Sequence, residues 1–487
     1  MMSQRGGASG NAGTPRLLVI VLAALLTRAL TLGNPILYSD EEFYFAAARA
    51  IGNGAVPFVE IWDRKPVGLF ALYLLPAALA WPWGIWLYQA MALASAAATA
   101  WLIARLADRA GWVRGGTAAG VAYLAWLTVA GGHGGQSPVF YNLFVAAAAW
   151  FATRPASRAR DATAAMLLVG VAIQIKYTAG VEGVWIGLWL MHRCQCERGA
   201  WSAVARGALL VGIALIPTLA VALYYVAIGS WPAFFYANVL SILGRRPDAF
   251  GELAGNLAIC ATILGPLLAM AVLRGPVEGG DVLVRRFLNG WLTAALIAFG
   301  LVAPWFDHYT LPVMVPAAAL AAGFLARTDR RRSGYGLVAL VVVIGQVSLV
   351  VDRIRRGTPA QFAALVRAVG GGPGCLYVYS STAMLYPATG RCSLSRYVFP
   401  SHLTRLREQG AIGVDQATEL RRVLAAGPAV VVVGPPYRGE RADIRALATR
   451  LIARDYRLTA RVTLGRKSVA VYRRDPPGLE EAVARFD

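Results

Sequence analysis

The sequence predicts a mainly α-helical membrane protein: a polytopic bundle of about eleven transmembrane helices followed by a small α/β domain. Three observations carry that prediction. Of 487 residues, 57% are apolar and only 15% charged, with a mean hydropathy of +0.53, whereas soluble domains carry about 25% charged residues. The apolar residues fall into repeated runs of roughly 15 to 25, the length that crosses a bilayer. Beyond Asp352 that pattern gives way to short β-rich runs between charge-bearing helical stretches. Disorder, a collagen-like fibre and a disulfide-rich miniprotein are excluded. The formal charge of +21 is no nucleic-acid signature, because only Lys65, Lys176 and Lys467 are lysines among the 47 basic residues. The remaining 44 are arginines, a bias shared with alanine that points to genome composition.

The runs place spans near 16–33, 85–105, 115–131, 138–152, 161–176, 178–192, 207–228, 253–273, 287–304, 310–326 and 335–351. A further apolar stretch, 67–83, has two readings, and the basic residues choose between them. If it does not cross, sixteen arginines, Arg158 among them, fall in the loops on one side and six basic residues in the short loops on the other. Short cytoplasmic loops accumulate Lys and Arg. The first group is therefore cytoplasmic together with the N-terminus, and the C-terminal part is external. Segment 67–83 then dips into the outer leaflet or lies along it. The first run lacks a small-residue cleavage site, so it reads as a retained anchor rather than a signal peptide.

The division predicted is 1–352 for the membrane part and 353–487 for the external α/β domain, whose strands are CLYVYS, AVVVVG and SVAVYR. Cys375 and Cys392 fall in that domain, where either a disulfide or two unpaired buried thiols fits. Cys194 and Cys196 form a C-x-C near His192, a weak metal signal without a fourth ligand.

Chemistry concentrates in the external loop 34–84. It opens on Ser39, Asp40, Glu41 and Glu42 and returns through Asp63, Arg64 and Lys65. One reading is a solvated loop in which Ser39 or Asp40 caps a helix EEFYFAAARAIGNG that stops at Gly52 or Gly54. The functional reading makes Asp40 a general base just above the hydrocarbon, with Lys65 brought back to the same surface as positive charge for a phosphate.

The segment YSDEEFYFAAARAIGNGAVPF followed by WDRKPVGLFALYLL resembles the first external loop of polytopic glycosyltransferases of the GT-C fold, in particular family 39 and the aminoarabinose-transferase-like enzymes. The matching positions are Asp40, Glu41, Tyr44, Gly54, Pro57, Lys65 and Pro66, and later His308, Tyr309 and Pro312 in DHYTLPVMVP. The resemblance implies an inverting transfer of one monosaccharide from a polyprenyl-phosphate carrier on the outer face of a bacterial inner membrane. The acceptor would be lipid A, a polysaccharide or a protein. It casts Asp40 and Glu41 as the catalytic carboxylates, or as ligands of a divalent metal ion in members that hold one, and Lys65 as the partner of the leaving phosphate. No nucleotide is required, and neither a G-x-G-x-x-G loop nor a Walker sequence is present.

Two departures shift roles elsewhere. The second external loop, GGHGGQSPVFYN, has no carboxylate, so His133, Gln136 and Asn142 become candidates for acceptor or metal contacts, against the plainer reading of a glycine turn. Phe43 stands where some relatives carry an arginine, which passes phosphate binding to Arg28, Arg64, Lys176, Arg245 or Arg246. Tyr44, Asp63, His308 and Tyr309 complete the candidate pocket. Each has a plain alternative, from a snorkelling Arg28 to a Tyr309 of the aromatic belt. Glu182, inside a span, is a functional candidate unless a partner such as Lys176 makes it structural. Asp40, Glu41, Asp63 and His308 offer metal-ligand types without a diagnostic spacing. The main rival is a transporter or lipid flippase, for which the chain lacks duplicated halves; a scaffold would leave the Asp-Glu and Lys-Pro pair unexplained.

Overall fold

The computed structural model describes residues 13–155, 159–275 and 279–475. Arg158 of the predicted cytoplasmic set, the N-terminal residues 1–12 and the tail 476–487 lie outside the described residues.

The first part is helical throughout: α1 (Gly13–Arg28), α2 (Ser39–Gly52), α3 (Val67–Ala78), α4 (Trp83–Arg109), α5 (Val113–Val129), α6 (Ser137–Ala152) and α7 (Ala159–Ile175). It continues with α8 (Ala179–Arg198), α9 (Ala200–Ala227), the short α10 (Trp231–Phe235), α11 (Phe250–Val272), α12 (Val282–Gly300), α13 (Met314–Leu325) and α14 (Arg331–Arg356). All but α2, α3 and α10 stand where the spans are predicted. Helices α4, α9, α11, α12 and the run that opens with α14 are long and apolar enough to cross a membrane. Only 17% of the apolar window of α9 is buried in the chain, and Leu209, Leu219 and Leu223 on it are exposed. Apolar surface on that scale is stable only in lipid. The chain is a multi-pass membrane protein. Helix α3 has 12 residues and belongs, with α6 and α13, to the shorter apolar helices.

The bundle closes through small residues rather than large ones. A Cβ on Gly115 of α5 would lie 2.0 Å from the Ala322 carbonyl of α13, one on Gly120 2.7 Å from that of Ala100 in α4, and one on Gly170 of α7 2.5 Å from that of Ala214 in α9. In lipid no hydrophobic effect drives helices together, so backbones that approach closely are what hold the bundle.

Helix α14 runs through the predicted boundary to Arg356, and the sheet domain follows Gly357. Helix α15 (Pro359–Val369) opens on a capping box of Thr358 and Gln361. Then come β1 (Leu376–Ser380), α16 (Leu385–Thr389), α17 (Ser401–Thr404), α18 (Gln416–Ala425), β2 (Val430–Val433), α19 (Ala442–Asp455), β3 (Tyr456–Leu464) and β4 (Lys467–Arg474). Strand order is β1-β2-β4-β3, with β1 parallel to β2 and the other pairs antiparallel. The β3–β4 hairpin turns at Gly465, whose positive φ of 61° suits glycine. A disulfide joins Cys375 to Cys392. The two parts are stitched together by the loop 34–84: Trp62, buried, sits in the aromatic and aliphatic core of the sheet domain with Tyr397 and Leu403, and its N–H donates to the Arg396 carbonyl at 2.9 Å.

Candidate active site

Helix α2 starts at Ser39, but neither Ser39 nor Asp40 caps it. Tyr38 holds the cap position and no side chain accepts a cap hydrogen bond. The Asp40 carboxylate is used elsewhere. Successive helical residues point about 100° apart, so the acidic run cannot share a face. Asp40 turns outward to Lys65. Glu41 turns inward to the loop between α5 and α6, so close that a Cβ on Gly134 would sit 2.2 Å from its Oε2. Glu42 is buried near Thr382 of the sheet domain. Helix geometry splits the pair cast together as catalytic carboxylates: Asp40 meets Lys65, whereas Glu41 is buried against the Gly134 loop.

Asp40 lies between Lys65 and His308. Lys65 Nζ is 3.7 Å from Asp40 Oδ1 and 3.0 Å from Asp63 Oδ2, and His308 Nε2 is 4.0 Å from Asp40 Oδ2. Asp63 is buried, Asp40 one-fifth exposed. Burial works to lower the Lys65 ammonium, but Asp63 and Asp40 outweigh it and hold the pKa above the usual lysine range. Burial likewise opposes ionisation of Asp63, yet Lys65, His402 and the Arg64 N–H keep its carboxyl below its usual value. Lys65 stays charged in a half-dry setting, with the rings of Tyr44, Phe43 and Phe399 within 5.3, 5.6 and 5.9 Å of its nitrogen. Phe399 comes from the sheet domain.

Behind His308 runs a relay that the residue pattern did not single out. The Tyr38 hydroxyl lies 3.1 Å from His308 Nδ1 and donates to Asp307 Oδ1 at 3.2 Å, while the Arg356 guanidinium lies 4.6 Å from the Tyr38 ring centre. The only hints in the sequence are positional, since Tyr38 immediately precedes Ser39-Asp40 and Asp307 immediately precedes His308.

Two clefts flank this centre. The first, of about 320 Å³, is walled by Tyr141, Ala295, Ala298, Phe299 and Val302 and carries Lys176 and Tyr309 at its polar end. The Lys176 ammonium stands 4.5 Å from the Tyr309 ring centre, and Tyr309 is close enough to Asp40, Lys65 and Arg245 to feel their charge. One turn deeper, Trp291 Nε1 donates to Glu182 Oε1 at 2.7 Å and ties α12 to α8. Glu182 thus has a partner, and it is Trp291 rather than Lys176. The second cleft, of about 250 Å³, lies between the C-terminal ends of α1 and α14, with Asn34, His133, Asp352, Arg353 and Arg356 on its wall. Burial pulls His133 down to about 3, so its ring is neutral.

Other predicted residues are placed apart from Asp40. Arg28 is buried and donates to the Gly132 carbonyl at 2.9 Å, holding the glycine loop rather than facing the first cleft. Gln136 is buried without a hydrogen-bond partner, and Asn142 bonds the Leu311 carbonyl. Arg64 and Arg245 both give their guanidinium groups to Glu408 of the sheet domain. Cys196 lies 4.0 Å from His192, and Cys194 is buried apart. Among the described residues no group of three or more His, Cys, Asp or Glu side chains is arranged to hold a metal ion. Asp40 and His308 supply two donors beside an ammonium, which does not fit a divalent ion.

No family model matches the sequence. Across the whole molecule, however, the backbone superimposes on ArnT from Cupriavidus metallidurans bound to undecaprenyl phosphate, with a TM-score of 0.64 over 94% of this chain and 98% of that one, at 16% identity. The fold is the GT-C fold of ArnT. The apo form of the same protein gives a TM-score of 0.63. The archaeal oligosaccharyltransferase of Archaeoglobus fulgidus, tethered with an acceptor peptide, gives 0.51 over 96% of this chain and 74% of that one, at 12% identity. By sequence, 303 residues are 35% identical to an apolipoprotein N-acyltransferase of Verminephrobacter eiseniae. That match takes in 58% of this chain and about half, 48%, of that relative.

Proposed function

We propose that the chain is an inverting glycosyltransferase that moves one monosaccharide from a polyprenyl-phosphate carrier to a hydroxyl-bearing acceptor at the outer face of a bacterial inner membrane. The observation that carries the reading is Asp40, a carboxylate between a charged lysine and a histidine, set beside an apolar cleft with a second lysine at its polar end. In this reading the prenyl chain lies along the apolar wall of the first cleft and its phosphate meets Lys176 and Lys65. The acceptor comes from the side of Arg353 and Arg356, lipid A, a glycan or a protein being the candidates. Asp40 takes the acceptor hydroxyl proton. The freed oxygen attacks the anomeric carbon from the face opposite the phosphate, the carbon–oxygen bond to phosphate breaks, and its electron pair stays on the phosphate. Charge grows there in a partly dry site, where fixed ammonium groups are worth far more than in water. The N-terminus is assigned to the cytoplasm and the sheet domain to the periplasm, on the arginine asymmetry of the loops.

Acyl transfer is the rival that the likeness to an N-acyltransferase raises. Against it, the fold likeness to ArnT takes in 94% of the chain and the sequence match 58%. Purified protein in lipid nanodiscs, incubated with an undecaprenyl-phosphate-linked sugar and a bacterial membrane extract, should release undecaprenyl phosphate. An acyltransferase, a transporter or a flippase leaves the carrier-sugar bond intact, and such a result with every sugar tried would end the proposal.

A further inference from the structure

The sheet domain does more than cover the outer surface. Its segment 396–411 touches three separate strips of the membrane part that border the site. The Trp62 N–H bonds the Arg396 carbonyl, the Arg246 N–H bonds the Arg407 carbonyl at 3.1 Å, and the Arg407 guanidinium lies 5.2 Å from the Phe306 ring centre. At the centre of these contacts is Glu408, 3% exposed, with both carboxylate oxygens occupied. Oε2 accepts from Arg64 Nη1 at 2.7 Å, and Oε1 accepts from Arg245 Nε at 3.1 Å and from its Nη2.

The two arginines are not equivalent. Arg64 has no group to spare: besides Glu408 it bonds the Ser241 hydroxyl at 3.1 Å and the Ala411 carbonyl at 3.2 Å, and lies 4.8 Å from the Trp62 ring centre. It is a fixed post beside Asp63 and Lys65. The Arg245 side chain makes hydrogen bonds only to Glu408 among the described residues, through Nε and Nη2, which leaves Nη1 unspent. Its charge is felt by Tyr309, at the polar end of the apolar cleft. A guanidinium gripped along one edge by a carboxylate offers its other edge in a fixed direction. Burial opposes the charge on Glu408, but Arg245 and Arg64 overcome it and hold the carboxyl near 2, so the grip persists across any physiological pH.

We infer that Glu408, a residue of the external domain, is a positioning residue for the carrier phosphate: it anchors the Asp63–Lys65 turn through Arg64 and aims the free edge of Arg245 at the mouth of the Lys176–Tyr309 cleft. The inference rests on the glycosyl-transfer reading for the identity of that anion, and it makes the sheet domain part of the working site. No motif in the sequence marks Glu408, since its partners lie far away in the chain.

The test uses full-length protein in nanodiscs and undecaprenyl phosphate as the probe, with binding followed by intrinsic tryptophan fluorescence. Glu408→Gln keeps the shape and removes the charge. It should weaken undecaprenyl phosphate binding about tenfold and raise KM for the sugar donor more than it lowers kcat, while Glu408→Asp recovers part of the loss. Arg245→Ala should weaken binding by a similar factor, and the double variant by no more than either single one, because Glu408 acts through Arg245. A purely structural role would shift the melting point of Glu408→Gln and leave the affinity of the folded fraction unchanged, which overturns the inference. Should Glu408→Gln fail to fold, Arg245→Ala decides: wild-type affinity there leaves Glu408 nothing to aim. Lys65→Ala run in parallel separates the two levels. If it loses affinity while Glu408→Gln and Arg245→Ala do not, the phosphate site stands and the inference falls. If it also binds normally, the phosphate reading itself is wrong.

Discussion

Lys65 and Asp40 meet at 3.7 Å although α2 and the whole turn through Trp62 separate them in the chain. The meeting is enforced from both sides. Asp40 is fixed by its place in the first turn of α2, and Lys65 by Asp63 at 3.0 Å and by the aromatic rings around its ammonium. A partly desolvated ammonium whose position is fixed by its neighbours can meet an incoming phosphate with little reorganisation of its own.

Lys65→Ala should therefore act mainly on the donor. Removing a fixed charge from a developing phosphate costs roughly 2–4 kcal/mol, which is about 30- to 1,000-fold in kcat/KM. Steady-state kinetics against a carrier-linked sugar checks it, and a variant with normal donor kinetics would relocate the phosphate.

Tyr38→Phe removes one hydroxyl and leaves the ring stacked on Arg356. His308 Nδ1 and Asp307 Oδ1, themselves 3.3 Å apart, lose a hydroxyl that both contact. The expected result is a fall in kcat on the order of tenfold, one hydrogen bond's worth, with donor KM unchanged and the pH profile displaced. An unaltered profile would take the tyrosine out of the relay.

Glu41 gives the fold a pH dependence. Burial raises its carboxyl from 4.5 to about 8, with the Gly135 N–H pulling the other way. The native state then binds the proton more tightly than the unfolded chain, so this contribution is fully present below the ordinary value of 4.5 and is lost as pH rises through about 8. Glu41→Gln imitates the protonated form. Its thermal midpoint should fall less steeply than that of the wild type between about pH 5 and 8, and parallel slopes in the two proteins would contradict the assignment.

Gly134→Ala places a methyl 2.2 Å from the Glu41 carboxylate. Destabilisation of about 1–3 kcal/mol follows from overpacking of this kind. Combined with Glu41→Ala the loss should be smaller than the sum of the two single effects, because the clash disappears with the side chain. Simple additivity in thermal unfolding would show that the two residues do not touch.

Much of this architecture is legible in the sequence, for a physical reason: lipid leaves a helix few options, so each apolar run reports its own position. Run 85–105 reappears within α4, run 253–273 in α11 but for its last residue, and the Val-rich AVVVVG as β2. Chain proximity misled at Glu41, since neighbours on a helix diverge by about 100° and the pair reads as a unit only in one dimension. Arg64 and Arg245 looked free because Glu408, the carboxylate that claims them, arrives from the other domain. Nothing in a single sequence records such a long-range pairing. Asp307 was missed differently: it stood beside His308 in the quoted motif, but its partnership with Tyr38 needs the return of the chain.

In the proposed reaction Asp40 is the proton acceptor, so its substitution bears on the proposal most directly. Release of undecaprenyl phosphate from a carrier-linked sugar by Asp40→Asn, measured beside the wild type at matched melting temperature, isolates the loss of one negative charge. A proton acceptor at this place predicts a fall of about 10²- to 10⁴-fold with undecaprenyl phosphate binding retained. Turnover equal to the wild type would mean that the acceptor is deprotonated by some other group.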